Sequence, residues 1–443
     1  MRLIADLHLH SKYSRATSKT LDVEGLYNWS KIKGIGLIGS ADFTHPLWFA
    51  ELQKHLEPLG NGLYRRRLSN NKQLTSNSGE PYYILTTEIS SIYSQGGKLR
   101  RIHNVILAPS LETVEKINIE LGKRGNLYAD GRPIFGISAH DLVKLLKSID
   151  ERIEIIPAHA WTPYFSLFGS MSGFDSIEEC FGDQAHHIHA IETGLSSDPL
   201  MNWRLSSLDH VAIVSAGDGH SGGNLMREAT IFELETPSYD AVIEAISNSN
   251  ALTYPKLRIK NEELRMPRID YTIEFFPEEG KYHWDGHREH KVRLTPEQTK
   301  EHNGICPKCQ RPVTVGVEYR VDALADRSVE QAVKASGVTR PPFKKLVQLS
   351  QIISEAFGKG EASKFIKDRY HKIIADFGNE YALLVDAPLT ELEGRLDPRI
   401  VEGLRRVREG TITIEPGYDG EYGKVSVFGE RQTATLTAQP ALL

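Results

Sequence analysis

The stretch that decides the fold is the first eleven residues, Met1-Arg-Leu-Ile-Ala-Asp6-Leu-His8-Leu-His10-Ser11. Its apolar start is typical of a buried strand, and two histidines separated by one residue follow it. Side chains two apart on an extended backbone point to the same side, so His8 and His10 enter one space, as two ligands of one metal would. A lone His-x-His also suits two surface histidines near a terminus, so the rest of the chain decides.

Length and composition indicate an ordinary soluble globular protein. The chain has 443 residues, of which 40% are hydrophobic and 25% are charged, and this size suits two or three domains. It has no run of eighteen apolar residues and no signal peptide, so we expect no membrane partner. Three cysteines favour a reducing compartment, and we expect a cytoplasmic protein. The net charge of −5 excludes a globally basic coat for nucleic acid, but not a local basic groove.

Residues 1–268 alternate short apolar runs with amphipathic segments. The strand-like runs are Ile35–Ile38, Tyr82–Thr86, Ile102–Ala108, Ile153–Pro157, His189–Glu192, Val211–Ser215 and Ala229–Leu234. The helical segments are Asp22–Lys33, Leu111–Leu121, Ala139–Ser148 and Tyr239–Ser247, and Ser138 with Asp141 marks one helix start. This alternation predicts a parallel α/β fold, either open or closed as a barrel.

Histidines and carboxylates recur where these apolar runs end. They are Asp42, His45, Glu88, His103, His159, Asp218 and His220. Active groups of parallel α/β barrels lie at the carboxyl ends of strands. One such residue is more often structural, but a series of them predicts a polynuclear site of imidazole and carboxylate ligands. Such a site suits zinc, manganese or iron and the hydrolysis of phosphate esters.

In order along the chain, these motifs resemble those of the PHP (polymerase and histidinol phosphatase) superfamily of metal-dependent phosphoesterases. The resemblance implies an α/β fold with a distorted (β/α)7 barrel that holds two or three metals. It implies catalytic and first-metal roles for His8, His10, Glu88 and Asp218. It also implies that Glu88 bridges to a second metal at His103 and His159, while His220 helps to hold a third.

Two departures from the superfamily pattern concern the third metal. Many members have an adjacent Asp-His pair after the second strand, whereas this chain has Asp42-Phe-Thr-His45. No histidine follows shortly after His10 to complete a third-metal set. Asp42 is retained as a candidate ligand, and His45 is the candidate for the missing position.

Longer stretches resemble the endonuclease Q family over essentially the whole chain. They are His159-Ala-Trp161-Thr-Pro163-Tyr-Phe-Ser-Leu-Phe-Gly169-Ser, Ser176-Ile-Glu-Glu-Cys180-Phe-Gly, Glu192-Thr-Gly194-Leu-Ser-Ser-Asp198-Pro, Met226-Arg-Glu-Ala-Thr230 and Ile414-Glu-Pro-Gly417-Tyr-Asp-Gly420-Glu-Tyr-Gly423-Lys-Val. The resemblance implies a DNA-repair endonuclease that cuts 5′ of deaminated bases (uracil, hypoxanthine, xanthine) and of abasic sites, with Mg or Mn for activity. We expect the damaged base to be flipped into a pocket near Trp161–Phe174.

Residues 269–335 predict a small zinc-binding domain. Cys306-Pro-Lys-Cys309 has the spacing of two thiolates that share one tetrahedral ion. A redox pair is the alternative, but no thioredoxin-like context surrounds it. His287 and His290 are the other expected ligands, with His283 in reserve. The position of His290 is usually cysteine in endonuclease Q sequences, and four protein ligands would make the site structural.

Residues 336–443 predict a mainly helical accessory domain with a flexible tail. The helical segments are roughly Leu349–Ala356, Glu361–Ile374 and Pro398–Arg408. The region resembles the accessory domain of endonuclease Q, which has some likeness to UvrD-type helicases, but it has no Walker loop and a motor is not expected.

Clusters of basic residues are the candidate phosphate contacts, although charge runs are usually solvated faces. The candidate DNA-binding residues are Arg65, Arg66, Arg67, Arg100, Arg101, Trp161, Lys344 and Lys345, with Arg405, Arg406 and Arg408 as further basic positions. The last residues, Gln439–Leu443, could bind a sliding clamp, but a frayed terminus is the simpler interpretation.

Two other functions compete with the endonuclease. A small-molecule phosphatase would share the barrel but has no reason to carry a zinc knuckle and a basic C-terminal part. A non-catalytic DNA-binding protein would have no reason to keep nearly the full set of metal ligands.

Overall fold

The computed structural model describes residues 1–67, 79–255 and 266–429, which form a mixed α/β fold. The strands in chain order are β1 Arg2–Asp6, β2 Leu37–Gly39, β3 Leu56–Pro58, β4 Tyr64–Arg66, β5 Tyr82–Gln95, β6 Lys98–Ala108, β7 Ile134–Phe135, β8 Glu154–Pro157, β9 Ala190–Glu192, β10 Ala212–Val214, β11 Ala229–Glu233, β12 Arg268–Glu274, β13 Asp285–His287, β14 Val292–Leu294, β15 Phe343–Lys345, β16 Thr413–Glu415 and β17 Lys424–Ser426.

The helices lie between these strands and dominate the last part of the chain. They are Val23–Lys33, Pro46–His55, Leu111–Gly122, Ala139–Ile149, Ile177–Phe181, Pro199–Trp203, Tyr239–Asn248, Pro296–Glu301, Val317–Leu324, Val329–Ala335, Leu349–Phe357, Lys364–Phe377, Leu389–Leu392 and Pro398–Glu409. Within the described ranges, no helix has both the length and the apolar character needed to cross a membrane. The tail segment Gln439–Leu443 lies outside the described residues.

Capping residues fix the helix starts that the sequence predicts. The Asp22 side chain accepts a hydrogen bond from Gly25 N at 2.8 Å, and Ser138 Oγ accepts one from Asp141 N at 3.0 Å. Each bond satisfies an amide that the first helical turn leaves without a partner. Gly34 ends the first helix in the left-handed conformation, with φ at 87°.

One large sheet organises the fold, and β1 lies inside it. The order is β15-β12-β11-β1-β2-β5-β4-β3, with β6 and β7 paired to β5 and with β8 paired to β6. β1–β2 and β2–β5 are parallel, whereas β1–β11, β5–β6 and β6–β8 are antiparallel. The α/β class is confirmed, but the prediction of a parallel sheet is wrong for these antiparallel pairs.

The hairpin β5–β6 is one of the antiparallel pairs that make the sheet mixed. Gly96 and Gly97 have φ of 62° and 72°, and they join two long strands with no helix between them. Adjacent glycines at φ > 0 are typical of a tight hairpin turn whose twist matches the strands. His103 therefore lies within an antiparallel strand, opposite Ser90, and not at a parallel strand end.

Strand pairing does not close a barrel within the described residues. β9 and β10 form a separate parallel pair, outside the main sheet. A backbone hydrogen bond from Ala160 N to Glu192 O, at 2.9 Å, connects the chain after β8 to the end of β9. The edges of the main sheet and of this pair still approach each other around a common apolar interior, which includes Ala190 and Ala212.

Residues after Arg268 continue the main sheet before they form smaller units. β12 pairs with β11, and β15 pairs with β12, so the sheet extends past the predicted boundary at residue 268. β13 and β14 form a hairpin over a small apolar cluster of Val292, Leu294, Cys306 and Val313. The boundaries at 268 and 335 stay predictions.

The C-terminal helices have an apolar core of their own, and one buried ion pair joins it to the first part of the chain. Lys33 Nζ lies 2.6 Å from Glu380 Oε2, and the two side chains are 2% and 1% exposed. Tyr370 Oη and Leu349 N also donate to the Glu380 carboxylate. Each charge therefore has the partner that burial requires.

Candidate active site

The two histidines that follow β1 lie side by side at the centre of the site. Leu9 forms a bridge with Gly219, and His10 N donates to Gly219 O at 3.0 Å, so this segment is bonded to the loop after β10. His8 and His10 are 2% and 0% exposed, and their ring centroids are 5.5 Å apart. Their Nε2 atoms share one space, as the spacing predicts.

Glu88, on β5, is the carboxylate that four histidines share. Its Oε2 lies 3.5 Å from His8 Nε2 and 3.3 Å from His10 Nε2. Its Oε1 lies 2.6 Å from His103 Nδ1 and 3.2 Å from His159 Nε2. Each carboxylate oxygen thus faces one pair of imidazoles, which is an arrangement that suits a carboxylate between two cations.

Three groups of side chains in this region bring their ligand atoms within 4.8 Å of one another. They are His8–His10–Glu88, Glu88–His103–His159 and His10–Asp218–His220. His8 Nε2, His10 Nε2 and Asp218 Oδ1 are buried without a hydrogen-bond partner among the described residues. Unpartnered buried polar atoms cost free energy unless a ligand binds them. This donor set therefore fits divalent cations.

The charges of the site also favour cation binding. Burial opposes ionisation of Glu88, but the adjacent histidines, His103 first, hold its pKa well below its usual range. Burial likewise opposes ionisation of Asp218, but His10 holds the pKa of that carboxyl well below its usual range. Burial lowers the pKa of His103 to about 4 although Glu88 acts against it, so His103 is neutral near pH 7. Although burial opposes it, Glu192 raises the pKa of His8, and Asp218 raises that of His10, well above the usual range, so a cation at their Nε2 atoms would replace protons.

Two further carboxylates hold the histidines from behind. Both oxygens of Glu192 lie 3.0 Å from His8 Nδ1, and Glu192 Oε2 also accepts from His159 N at 2.8 Å. Asp42 Oδ1 lies 3.1 Å from His10 Nδ1. Hydrogen bonds to Nδ1 fix the tautomer and the ring orientation, and they leave Nε2 of each ring for a cation.

Asp42, a predicted metal ligand, is occupied by the protein itself. Its Oδ2 accepts from Ser11 N and Ser11 Oγ at 2.7 Å and from Ser14 Oγ at 2.8 Å. Gly131 packs against the same oxygen so closely that an added Cβ would lie 2.2 Å from it. Asp42 belongs to none of the three ligand groups, because its carboxylate orients His10.

His45, the candidate for the third metal, also lies apart from the ligand groups of the described residues. Its ring stacks on Tyr13 at 4.4 Å, and the residue precedes the helix Pro46–His55. The third ligand group consists instead of His10, Asp218 and His220. Asp218 Oδ1 lies 3.2 Å from His10 Nε2 and 3.5 Å from His220 Nδ1.

The backbone at the site adopts a conformation that side chains rarely favour. Asp42, His159 and Asp218 have φ of 34°, 32° and 44°. Positive φ in non-glycine residues is uncommon and concentrates at functional sites, because the surroundings must enforce it. Gly194 packs so closely that an added Cβ would lie 2.4 Å from His159 Cβ.

Sequence reasoning did not assign Glu192 or Arg132 to the site. Glu192 ends a predicted strand, which is the same signal that identified the other ligands, so its carboxylate could have been found. Arg132 lies in a loop before β7, where no periodicity points to it. Its Nη1 lies 3.1 Å from Glu88 Oε2.

A cleft of about 820 Å³ opens from the ligand groups toward the middle of the chain. His103, His159 and Asp218 line one side of it. Aromatic side chains line much of the remainder: Tyr164, Phe165, Phe275, Tyr282 and Tyr422. Planar apolar walls beside a cation-binding group suit a ligand with both a planar ring and a charged end.

The predicted zinc ligands form a second, separate cluster. The ligand atoms of His287, Cys306 and Cys309 lie within 4.8 Å of one another, with Cys309 Sγ 3.7 Å from His287 Nδ1. The His290 ring stacks on His287 at 4.6 Å, and these two histidines form a further group with Glu289.

His283, the reserve ligand, lies away from the cysteines. Its Nε2 is 3.6 Å from Glu318 Oε2, and the residue lines the cleft.

Comparison with solved structures gives two matches over the whole chain. The crystal structure of the lesion-specific endonuclease PfuEndoQ from Pyrococcus furiosus has a TM-score of 0.79 and 27% identity, and it covers 96% of this chain and 95% of that one. An endonuclease Q complex with a 27-mer duplex substrate that has an abasic lesion at the active site has a TM-score of 0.77 and 27% identity, and it covers 96% of each chain. The resemblance to endonuclease Q is confirmed.

Sequence relatives match the chain over different extents. A family model described as the MJ0043 C-terminal domain matches residues 348–411. An uncharacterized protein of Methanocaldococcus jannaschii, MJ0043, is 30% identical over 275 residues, or 60% of this chain and 31% of that protein. The matched segment therefore spans about a third of that relative. The uncharacterized protein YqxK of Bacillus subtilis is 26% identical over 437 residues, which cover 96% of this chain and 99% of that protein.

The likeness to endonuclease Q confirms that the chain is an enzyme of the hydrolase class, because endonuclease Q is a DNA endonuclease and the match is structural and nearly complete. A side chain that contacts DNA must reach the protein surface, so the exposure of each predicted DNA-binding residue bears on its prediction.

Three of the predicted DNA-binding side chains lie in the interior. Trp161 is 1% exposed and its Nε1 donates to Asn202 at 2.7 Å. Arg100 is 7% exposed and its guanidinium lies 3.9 Å from the Phe174 ring centroid. The Lys345 side chain is 13% exposed, and its Nζ lies 2.8 Å from Asp198. Their polar groups are bonded within the protein, so the structure does not place them on a DNA-facing surface.

The other predicted contacts lie nearer the surface. Arg65 pairs with Glu57 and Arg66 with Glu24, while Arg67 is exposed. The Arg101 guanidinium lies 5.5 Å from the ring centroid of Phe165, which is a residue of the cleft lining. Lys344 Nζ lies 4.5 Å from the Tyr271 ring centroid.

Proposed function

We propose that the protein is a DNA-repair endonuclease that hydrolyses the phosphodiester 5′ of deaminated bases (uracil, hypoxanthine and xanthine) and of abasic sites. The observation that carries the proposal is the position of Glu88. One buried carboxylate joins two groups of histidines, at the head of a cleft lined by aromatic side chains. The whole-chain likeness to endonuclease Q, one structure of which contains duplex DNA with an abasic lesion, supports DNA as the partner.

The residues that would hold the metals follow from the ligand groups. His8, His10 and Glu88 would bind one ion, Glu88 with His103 and His159 a second, and His10 with Asp218 and His220 a third. Zn is the proposed resident metal, and Mg or Mn the metal added for activity. Bound cations would activate a water molecule for attack on phosphorus and would neutralise charge on the phosphate oxygens.

Two carboxylates of the protein orient the histidine ligands. Glu192 and Asp42 hold the His8 and His10 rings so that Nε2 of each points toward Glu88 and Asp218. In the hydrolysis, the water oxygen forms a bond to phosphorus, the bond from phosphorus to the leaving oxygen breaks, and that oxygen takes up a proton. The products are two DNA ends, one of which carries the phosphate.

The cleft is the proposed pocket for a flipped nucleotide. A damaged base cannot be read inside the duplex, and a weakly paired deaminated base costs less to extrude. Tyr164 is 43% exposed and Tyr422 is 76% exposed, and both line the cleft beside Phe165. Stacking on such rings stabilises an unstacked base by about 1–3 kcal/mol. Trp161 is buried against Asn202 and Phe168 and is not proposed as a stacking residue.

Several finer assignments belong to the same proposal. The arc of β1, β2, β5, β6 and β8, with the pair β9–β10, is the proposed distorted (β/α)7 barrel. His287, Cys306 and Cys309, with His290, are the proposed ligands of a structural zinc ion. Arg65, Arg66, Arg67, Arg101 and Lys344 are the proposed phosphate contacts, and the cytoplasm is the proposed compartment.

A small-molecule phosphatase is the second candidate. The ligand groups alone would serve it equally well. The residues that line the far side of the cleft, Phe275, Lys281 and Tyr282, come from the region between the main sheet and the cysteine cluster. That region gives the cleft a length that a small phosphate ester does not require.

One cleavage assay separates the candidates. The protein is incubated with Mg or Mn and an end-labelled duplex that contains a single uracil or abasic site. We expect a nick on the 5′ side of the lesion, which disappears in Asp218→Asn because one ligand group loses a charge. The matched undamaged duplex should stay intact.

Small phosphate esters serve as the opposing substrate. Release of phosphate from these esters without a nick in the lesion duplex would establish the phosphatase and refute the endonuclease. Lesion-duplex binding without either reaction would indicate a non-catalytic DNA-binding protein.

A further inference from the structure

Arg132 is the basic side chain that points from the cleft wall at the shared carboxylate. Its Nη1 lies 3.1 Å from Glu88 Oε2, which is the oxygen that also faces His8 and His10. The Arg132 side chain is 31% exposed, and it lines the cleft together with His103 and His159. One end of the guanidinium thus contacts the ligand groups while the rest remains open to the cleft.

The backbone on both sides of Arg132 is held firmly. Arg132 N donates to Asp130 Oδ1 at 3.2 Å, and Gly131 N donates to Tyr13 O at 3.3 Å. On the other side, Ser90 N donates to Pro133 O at 3.0 Å, next to the β5–β7 pairing. The side chain therefore starts from a fixed point, which is what precise positioning of a charged group requires.

The other basic residues of the cleft are engaged differently. Arg227 donates through Nε to Gly217 O at 2.7 Å and through Nη2 to Asp218 O at 3.2 Å, so its fork supports the backbone of that loop. Lys281 Nζ lies 5.4 Å from the ring centroid of Tyr422, at the far wall. In the described part of the chain, the Arg132 side chain makes a single hydrogen bond, the one to Glu88.

We propose that Arg132 binds the non-bridging oxygens of the scissile phosphate and stabilises the charge that builds up on them during hydrolysis. This inference rests on the proposed function. A guanidinium presents parallel N–H donors that match two phosphate oxygens, and such a charge-assisted pair is stronger in a partly enclosed site than in water. The phosphate must lie beside the Glu88 groups to react, and Arg132 already reaches that position.

A structural role makes a different prediction. If Arg132 only balances the buried negative charge of Glu88, its loss would weaken the carboxylate cluster and its hold on metal, and no added cation in the cleft would restore the reaction. The phosphate-binding role leaves metal content intact, and it can be restored from solution by a free guanidinium ion.

The test compares Arg132→Ala, Arg132→Lys and Arg124→Ala in the full-length, metal-loaded protein. Arg124 lies just after the helix Leu111–Gly122, pairs with Glu120 and is outside the cleft. Single-turnover nicking of an abasic-site duplex should fall by about 10²–10³-fold in Arg132→Ala, by about tenfold in Arg132→Lys, and not at all in Arg124→Ala. Metal per protein, measured by mass spectrometry, should equal that of the wild type in all three.

Chemical rescue completes the test. Guanidinium chloride at low millimolar concentration should raise the nicking rate of Arg132→Ala by at least about tenfold, without an effect on the wild type. An Arg132→Ala rate within about threefold of the wild-type rate overturns the inference. A lower rate that accompanies loss of metal and resists guanidinium also overturns it. A wild-type protein that fails to nick the duplex refutes the proposed function itself, which is a separate outcome.

Discussion

The two candidate metal clusters of this chain are built in opposite ways. The ligands around Glu88 come from the segment after β1, from β5 and β6, and from the loops after β8 and β10, and an extensive apolar core supports these elements. The cluster of His287, Cys306 and Cys309 lies on short hairpins over four buried side chains. Glu192 and Asp42 hold the first set of histidines, whereas the second cluster depends on contacts among the ligands themselves.

The difference predicts how each candidate cluster would depend on a bound ion. At the first cluster, hydrogen bonds from Glu192 and Asp42 hold the His8 and His10 rings, and a buried, extensive core supports them. The second unit buries too little apolar surface to order its loops strongly, so a bound ion would supply much of its stability. Removal of metal should therefore abolish chemistry at the first cluster and structure at the second.

The largest expected effect is that of Glu88→Gln on catalysis. The amide keeps the size of the side chain but removes the charge that both histidine pairs face, so lesion-dependent nicking should fall by at least about 10³-fold. Circular dichroism should show an unchanged fold. A Glu88→Gln protein that nicks at a rate near that of the wild type would contradict the catalytic role given to the Glu88 cluster.

The second effect is structural and concerns Cys306→Ser. Loss of one thiolate should open the cysteine cluster, so amide hydrogen exchange in residues 285–314 should rise by about a hundredfold while exchange in β1 and β5 stays constant. Treatment of the wild type with a chelator should give the same map. Arg311→Ala, on an exposed neighbour, is the matched control and should exchange like the wild type. Equal opening of both regions would mean that the two clusters do not differ as described.

A smaller effect is expected for the carboxylates behind the histidines. Glu192→Gln and Asp42→Asn keep the shape but weaken the hold on His8 Nδ1 and His10 Nδ1, and each should lower metal affinity or the nicking rate by about 10–100-fold. Metal titration and single-turnover rates measure the two quantities. If Asp42→Asn instead abolishes activity as completely as Glu88→Gln does, Asp42 is itself a ligand.

The smallest effect is on stability and involves Glu274, a buried carboxyl on β12. Burial raises its pKa from 4.5 to about 8, although Ser215 and Thr272 donate hydrogen bonds to it. Between these pH values the folded state holds a proton that the unfolded state has lost, so the free energy of unfolding falls as pH rises through this window.

Glu274→Gln removes that dependence. Relative to the wild type, the variant should gain on the order of 1 kcal/mol between pH 5 and pH 8, measured by urea unfolding at each pH. The exposed Glu244→Gln should show no such gain. A variant whose advantage is the same at both pH values would show that Glu274 does not bind the proton.

The sequence predicted those parts of the site that local pattern determines. The spacing of His8 and His10 places both side chains on one side of a strand, and Ser138 with Asp141 marks a helix start. Gly96-Gly97 was also readable as a hairpin turn, and its recognition would have moved His103 from a strand end to a strand interior.

The remaining features depend on contacts that are distant in the chain. Asp42 is 31 residues from Ser11, and their hydrogen bonds occupy one carboxylate oxygen while the other holds His10 Nδ1. Arg132 is 44 residues from Glu88, in a loop without periodicity. Trp161 follows a ligand strand directly, as a base-stacking residue would, but Asn202 and Phe168 enclose it. Only the folded chain reveals such partners.

The ion pair of Lys33 with Glu380 has a practical consequence for anyone who divides this chain. The matched family segment begins at residue 348, which suggests a convenient place to cut. A fragment that ended there would leave the Lys33 ammonium at an apolar surface without its carboxylate, and the complementary fragment would expose Glu380 in the same way. Each fragment would carry an unpaired charge on an exposed apolar surface. The chain is therefore better expressed at full length.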